Sequence, residues 1–124
     1  MEKILVVDDE KKIRNLYRKL LTLEKYEVIE AEDSQSATHR LIDEQNVQLI
    51  LLDINMPLID GRVLYDLIRM YDPKIKVIVT SAYPLEDQKK KIVNADDYYD
   101  KAQGTEVLLE KVEHVLKGGK NDAR

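Results

Sequence analysis

Residues 47–61 read VQLILLDINMPLIDG, and the first seven of them decide the fold. VQLILL is short, almost continuously apolar and rich in branched side chains, the pattern of a strand buried on both faces. Asp53 stops the run. Pro57 then restricts Met56 to extended backbone, and Gly61 marks the start of a helix, so a loop separates strand from helix. A doubly buried strand needs helices on both sides of its sheet, and the rest of the chain supplies them. Towards the N-terminus, KILVVD (3–8) is a second such run, and Ile13, Leu16, Tyr17, Leu20 and Leu21 follow as one helical stripe. EVIEAE (27–32) reads as a strand, and Ser34 caps a helix carrying Ala37, Leu41 and Ile42. Towards the C-terminus, Val63, Leu64, Leu67 and Ile68 mark a helix that ends before Pro73. KVIVTS (76–81) is the fourth strand, a helix is predicted over 85–95, and DYYD (97–100) is a short fifth strand. A last helix carries Leu108, Val112, Val115 and Leu116 and stops at Gly118. Strands and helices alternate five times, which predicts an α/β fold with a parallel sheet covered on both faces.

The 124 residues fit one domain, read as 1–118 with a flexible tail at 119–124. With 44% hydrophobic and 35% charged residues the chain is globular in character. The absence of cysteine removes disulfides, thiol nucleophiles and cysteine-based metal sites. A net charge of -4 argues against nucleic acid as a direct partner. The start MEKILVVDDE turns acidic too soon for a signal peptide, and no apolar run reaches membrane-spanning length. The expectation is a cytoplasmic protein with no membrane association.

Asp8 and Asp9, Asp53, Ser81 and Lys101 each stand where an apolar strand runs out. In an open parallel sheet such positions converge on one crevice, the usual ligand site. Carboxylates about 4 Å apart repel by roughly 4 kcal/mol at an effective dielectric of 20. Lys101 offsets one of the three charges, and a divalent cation balances the remainder. Hard oxygen donors suit Mg²⁺, with Mn²⁺ as the alternative ion, and magnesium favours sites completed by phosphate. Asp53 stands alone at the end of the most apolar strand and is the carboxylate placed to act as a nucleophile toward phosphorus.

These positions, Asp8-Asp9, the DINMPLIDG stretch from Asp53, Val79-Thr80-Ser81-Ala82 and Lys101, resemble the response-regulator receiver domain of two-component signalling. In length the chain is similar to stand-alone receivers. The resemblance implies a doubly wound, flavodoxin-like sheet of order 2-1-3-4-5, with Asp53 as phosphoacceptor for a histidine kinase or histidine phosphotransfer protein. It implies Mg²⁺ held by Asp9, Asp53 and the backbone carbonyl of Asn55, with Asp8 acting through water. Lys101 would pair with Asp53 or its phosphoryl group, and Ser81 would bond a phosphoryl oxygen and move on activation. Tyr98 matches the aromatic that turns inward with that movement. The change would reach a downstream protein through the fourth helix, fifth strand and fifth helix, and the chain would catalyse only its own phosphorylation and dephosphorylation. A monomer or a weak phosphorylation-dependent dimer is expected.

Several alternatives stand at this level. Thr80 competes with Ser81 for the hydroxyl role, and Tyr98 reads equally as a packed aromatic. The fourth helix, with Lys89, Lys90 and Lys91, is either a solvated face or a loosely held helix that meets a partner. His39 and His114 read as surface residues without a role. Ala102 replaces the proline that receivers carry after the lysine, leaving a strained cis bond or a trans loop with Lys101 displaced. Asn94 stands where the family commonly has glycine. Tyr83 and Asn55 flank the path of an attacking water, and Tyr83 is read as slowing hydrolysis of the acyl phosphate. Passing the phosphoryl group onward and switching partner binding are not separable. The competing function is a receiver-like interaction module unregulated by phosphorylation. An aspartate-nucleophile phosphatase lacks its Asp-x-Asp spacing here, and a nucleotide or flavin protein lacks its glycine loop.

Overall fold

Alternation of side chains along each strand divides the interior into two layers. In the computed structural model, which describes residues 1–55 and 61–118, β1 (Lys3–Val7), β2 (Glu27–Ala31), β3 (Val47–Asp53), β4 (Lys76–Ser81) and β5 (Asp97–Asp100) form one parallel sheet. Its order is β2-β1-β3-β4-β5. Leu5 and Val7 of β1, with Ile50 and Leu52 of β3, face α2 (Ser34–Asp43), α3 (Gly61–Tyr71) and α4 (Leu85–Lys91). Ile4 and Val6, with Leu49 and Leu51, face α1 (Lys11–Leu23) and α5 (Thr105–Leu116). Both faces of the central strands are therefore dry, as the apolar run at residues 47–52 predicts. Each fully buried Leu or Ile contributes roughly 1.5–3 kcal/mol.

The strand boundaries agree with the sequence reading to within a residue, and the helices differ where local geometry decides. The second helix is capped by Asp33, whose side chain accepts from the Ser36 amide while Ser36 answers in a capping box, so Ser34 is the first helical residue. Helix α4 stops at Lys91 rather than running to residue 95. Ile92 turns to extended backbone and drops into the core, Val93 points outward, and Asn94 takes a φ of 68°. Asparagine tolerates the left-handed region, so it serves here in glycine's place. Gln88 fixes the short helix, its Nε2 donating to the Tyr83 carbonyl at 2.8 Å and the Tyr99 carbonyl at 3.0 Å. Leu16, Ile42, Val63 and Leu67, read into the apolar stripes, are exposed, because α1, α2 and α3 each present a narrower face to the sheet. His39 is exposed as expected, whereas His114 is half-buried on α5.

Helix α3 begins where backbone approaches backbone. A β-carbon on Gly61 would lie 2.9 Å from Ile54 Cγ2 and 3.0 Å from its Cα, so only glycine fits. Met56 and Pro57, with Asp60 of the same motif, and the tail at 119–124 lie outside the described residues. Gly61→Ala is expected to lower unfolding free energy by about 1–3 kcal/mol, through overpacking against Ile54. Urea denaturation measures this, and an unchanged midpoint would mean that the helix start shifts freely.

Candidate functional site

The topological switch lies between β1 and β3, the neighbouring strands from which the chain winds in opposite directions. Val7 is in register with Leu52, and one residue further along these strands stand Asp8 and Asp53. Both carboxylates are buried, each 1% exposed. Lys101, just beyond β5, reaches between them, donating to Asp8 Oδ2 at 2.8 Å and to Asp53 Oδ2 at 3.3 Å. Its own amide donates to the Ser81 carbonyl at 2.8 Å, which pins the loop after β5 to the end of β4. No peptide among the described residues is cis, so the Lys101–Ala102 bond is trans and the lysine still arrives.

Each carboxylate is also held from its own loop. Asp8 Oδ1 accepts the Glu10 amide at 2.9 Å, and Asp53 Oδ1 accepts the Asn55 amide at 2.9 Å. For Asp53 this leaves Oδ2 as the oxygen held only by a long contact to Lys101. Burial raises the Asp53 pKa, negative Asp8 adds to it, and the Asn55 amide and Lys101 oppose them; the carboxyl titrates at about 6. Burial disfavours the Lys101 ammonium, but bonds and attraction from Asp8 and Asp53 outweigh it and raise its pKa.

The hydroxyl in the crevice is that of Ser81. It is fully buried, donates to Asn55 Oδ1 at 2.8 Å and accepts the Tyr83 amide at 3.0 Å. Thr80 lies in register with Asp53 and accepts the Ile54 amide through its carbonyl at 3.2 Å. Tyr83 is exposed, with the Lys91 ammonium 4.5 Å from its ring centroid. Tyr98 is turned inward and 8% exposed. Its hydroxyl donates to the Ile92 carbonyl at 2.6 Å and accepts the Ala95 amide at 3.1 Å, closing the segment after α4.

Carboxylate oxygens of Asp8, Asp9 and Glu10 lie within 4.8 Å of one another, with Asp9 and Glu10 exposed. Asp53 is outside that cluster, joined to it through Lys101. Glu10 was not a sequence candidate, although it extends the acidic pair and its position before α1 was legible. Hard carboxylate oxygens in such a group fit a divalent cation such as Mg²⁺. Also unforeseen was Arg14, which bonds the Asp8 carbonyl.

A doubly wound sheet whose carboxyl edge gathers buried carboxylates around one lysine defines a flavodoxin-like α/β protein with an acidic crevice at its switch point. More particularly, the chain belongs to the response regulator receiver domain family of two-component signalling, whose profile matches residues 4–113. It is 32% identical over 119 residues to the chemotaxis protein CheY of Treponema pallidum, covering 93% of this chain and 83% of that one. It is 33% identical over 121 residues to the transcriptional regulatory protein DegU of Brevibacillus brevis, spanning 94% of this chain but 50% of DegU. Among solved structures, the response regulator TrrA of Thermotoga maritima, in complex with Mg(2+)-BeF, superposes with a TM-score of 0.82 at 36% identity, over 91% of this chain and 97% of TrrA.

A folded-state pKa of about 6 lies above the ordinary aspartate value of 3.8. Between those values the folded chain keeps a proton that the unfolded chain has released. The Asp53 contribution to stability is therefore favourable at acid pH and is lost as pH rises through about 6. In chelator near neutral pH, Asp53→Asn is expected to stabilise the fold by on the order of 2 kcal/mol. The gain should shrink toward about pH 4. Denaturation of both proteins across that range checks it, and a pH-independent difference would mean that another group carries the dependence.

Proposed function

We propose that the chain accepts a phosphoryl group on Asp53 from a histidine kinase or histidine phosphotransfer protein. The observation that carries this reading is Lys101 shared between buried Asp8 and Asp53, with the Ser81–Asn55 hydrogen bond at the mouth of the same crevice. Asp53 Oδ2 is the attacking oxygen, since Oδ1 is tied to the Asn55 amide. As the new P–O bond forms, the P–N bond of the donor breaks and the imidazole leaves. Lys101, already within reach of Oδ2, follows the charge onto the phosphoryl oxygens. Ser81 exchanges Asn55 Oδ1 for a phosphoryl oxygen, and that exchange draws on the Tyr83 amide it also accepts.

Asp8, Asp9 and Glu10, with Asp53, are the residues that would hold Mg²⁺, and TrrA carries that ion in its solved structure. Bound there, the ion would neutralise the carboxylates and the transferring phosphoryl charge. Gln88 ties the loop after Ser81 to α4 and β5, Tyr98 closes the segment after α4, and these elements with α5 would relay occupancy to a protein target. Residues 1–118 serve as the phosphoaccepting unit, with its donor in the cytoplasm. No helix among the described residues is long and apolar enough to cross a membrane.

Incubation with acetyl phosphate and Mg²⁺ should give a single phosphoryl adduct by intact mass, absent in chelator and absent in Asp53→Asn. An adduct on the variant, or none from either a small donor or a purified histidine kinase, would sink the reading. Tyr83 shields the acyl phosphate from water, so Tyr83→Ala is expected to shorten the adduct's half-life several-fold. A half-life equal to wild type would remove Tyr83 from that role.

A further inference from the structure

Three arginines from two helices converge on one glutamate of the edge strand. Arg14 Nε donates to Glu30 Oε1 at 3.2 Å, Arg18 Nε donates to Glu30 Oε2, and Arg40 Nε donates to the Glu30 backbone carbonyl at 3.1 Å. Arg18 and Arg40 stop there. Arg14 goes further: its Nη1 donates to the Asp8 carbonyl at 2.7 Å, and its own amide donates to the Glu10 carbonyl at 3.1 Å. The amide hydrogen bond is the ordinary first-turn bond of the helix, so the Arg14 side chain holds the turn at the Asp8 carbonyl, and the Asp8 carboxylate takes the Glu10 amide. The Arg14 side chain is 11% exposed, so these contacts are made largely out of water.

Helix α1 lacks a side-chain cap at Glu10; the Asp8 amide is held by the Ala31 carbonyl and the Glu10 amide by the Asp8 carboxylate, while the Asp8 carbonyl is held by Arg14. Three consecutive carboxylates repel one another, and the turn would relax by spreading them. Resting on the function proposed above, we propose that Arg14, oriented by Glu30, is a positioning residue: it holds the Asp8–Glu10 turn so that its carboxylates converge on the divalent cation. It touches neither the phosphoryl group nor the ion. Glu30 selects the guanidinium orientation, because one planar fork must meet a carboxylate and a carbonyl together. Groups that orient ligands in this way change metal affinity by about 10–100-fold when removed.

Simple charge would act with the opposite sign at Arg14. Removing a cation beside an acidic site strengthens Mg²⁺ binding by Coulomb attraction, whereas losing the clasp weakens it. Titration calorimetry of Mg²⁺ into the metal-free chain decides between them. Arg14→Met and Glu30→Gln are each expected to weaken binding about 10-fold. Arg14→Lys should weaken it too, since it keeps the charge but cannot span both acceptors. Arg40→Met, which removes a charge from the same cluster without touching the turn, should bind as wild type does.

Phosphorylation of Arg14→Lys by acetyl phosphate should slow at limiting Mg²⁺ and recover at saturating Mg²⁺, a split that mere loss of fold would not give. Thermal melts in chelator confirm that each variant is folded, and Arg14→Lys carries the test if Arg14→Met is not. Wild-type affinity, or tighter binding, in Arg14→Lys would overturn the positioning role while leaving the phosphoacceptor reading intact. Absence of Mg²⁺ binding by the wild-type chain would overturn both.

Discussion

Two carboxylates buried side by side require a cation, and the structure is organised around supplying one. Asp8 and Asp53 sit together because parallel pairing of β1 with β3 leaves no alternative once Val7 and Leu52 are in register. Lys101 comes from the far edge of the sheet, and its reach depends on the amide bond that ties its loop to Ser81. The distances are unequal: the ammonium is closer to Asp8 than to Asp53. Burial raises the Asp53 pKa, and Lys101, held closer to Asp8, opposes that rise only in part. Removing Lys101 would leave two uncompensated buried charges, so the fold itself depends on this residue.

Hydrogen bonds lead from the neighbouring hydroxyl to α4, and a separate one closes the end of that helix. Ser81 is bonded to Asn55 and to the Tyr83 amide, the Tyr83 carbonyl to Gln88, Gln88 to the Tyr99 carbonyl, and Tyr98 to the end of α4. Helix α4 has seven residues and buries a glutamine on its inner side. Gln88 Oε1 is without a partner, which costs about 1–3 kcal/mol relative to a satisfied acceptor. Through the same side chain, α4 lies one hydrogen bond from the loop that follows Ser81.

The fold was legible because strand burial is written in uninterrupted apolar runs, and the residue that stops each run is the one that faces the crevice. The convergence of Asp8, Asp53, Ser81 and Lys101 followed from that rule. What escaped reading depends on contacts remote in sequence. Ile92 and Val93 look like a helical pair until the left-handed Asn94 and the Tyr98 hydroxyl turn the chain. Glu30 looks like a solvent residue on an amphipathic strand, and its partners are Arg14 and Arg18 on another element. Spacing along α1 placed both arginines on one face, but nothing local named the acceptor.

The Arg40 contact has a meaning of its own for solubility. Strand β2 is an edge of the sheet, pairing with β1 alone. The Ala31 carbonyl turns inward to the Asp8 amide, so the Glu30 carbonyl turns outward, toward any strand that would add to the edge. Arg40 occupies that acceptor, and the charged side chains of Glu27 and Glu30 flank it. An incoming strand would have to displace a guanidinium and desolvate two acids to pair with this edge. Arg40, which does not touch the crevice, thereby guards this edge against edge-to-edge polymerisation.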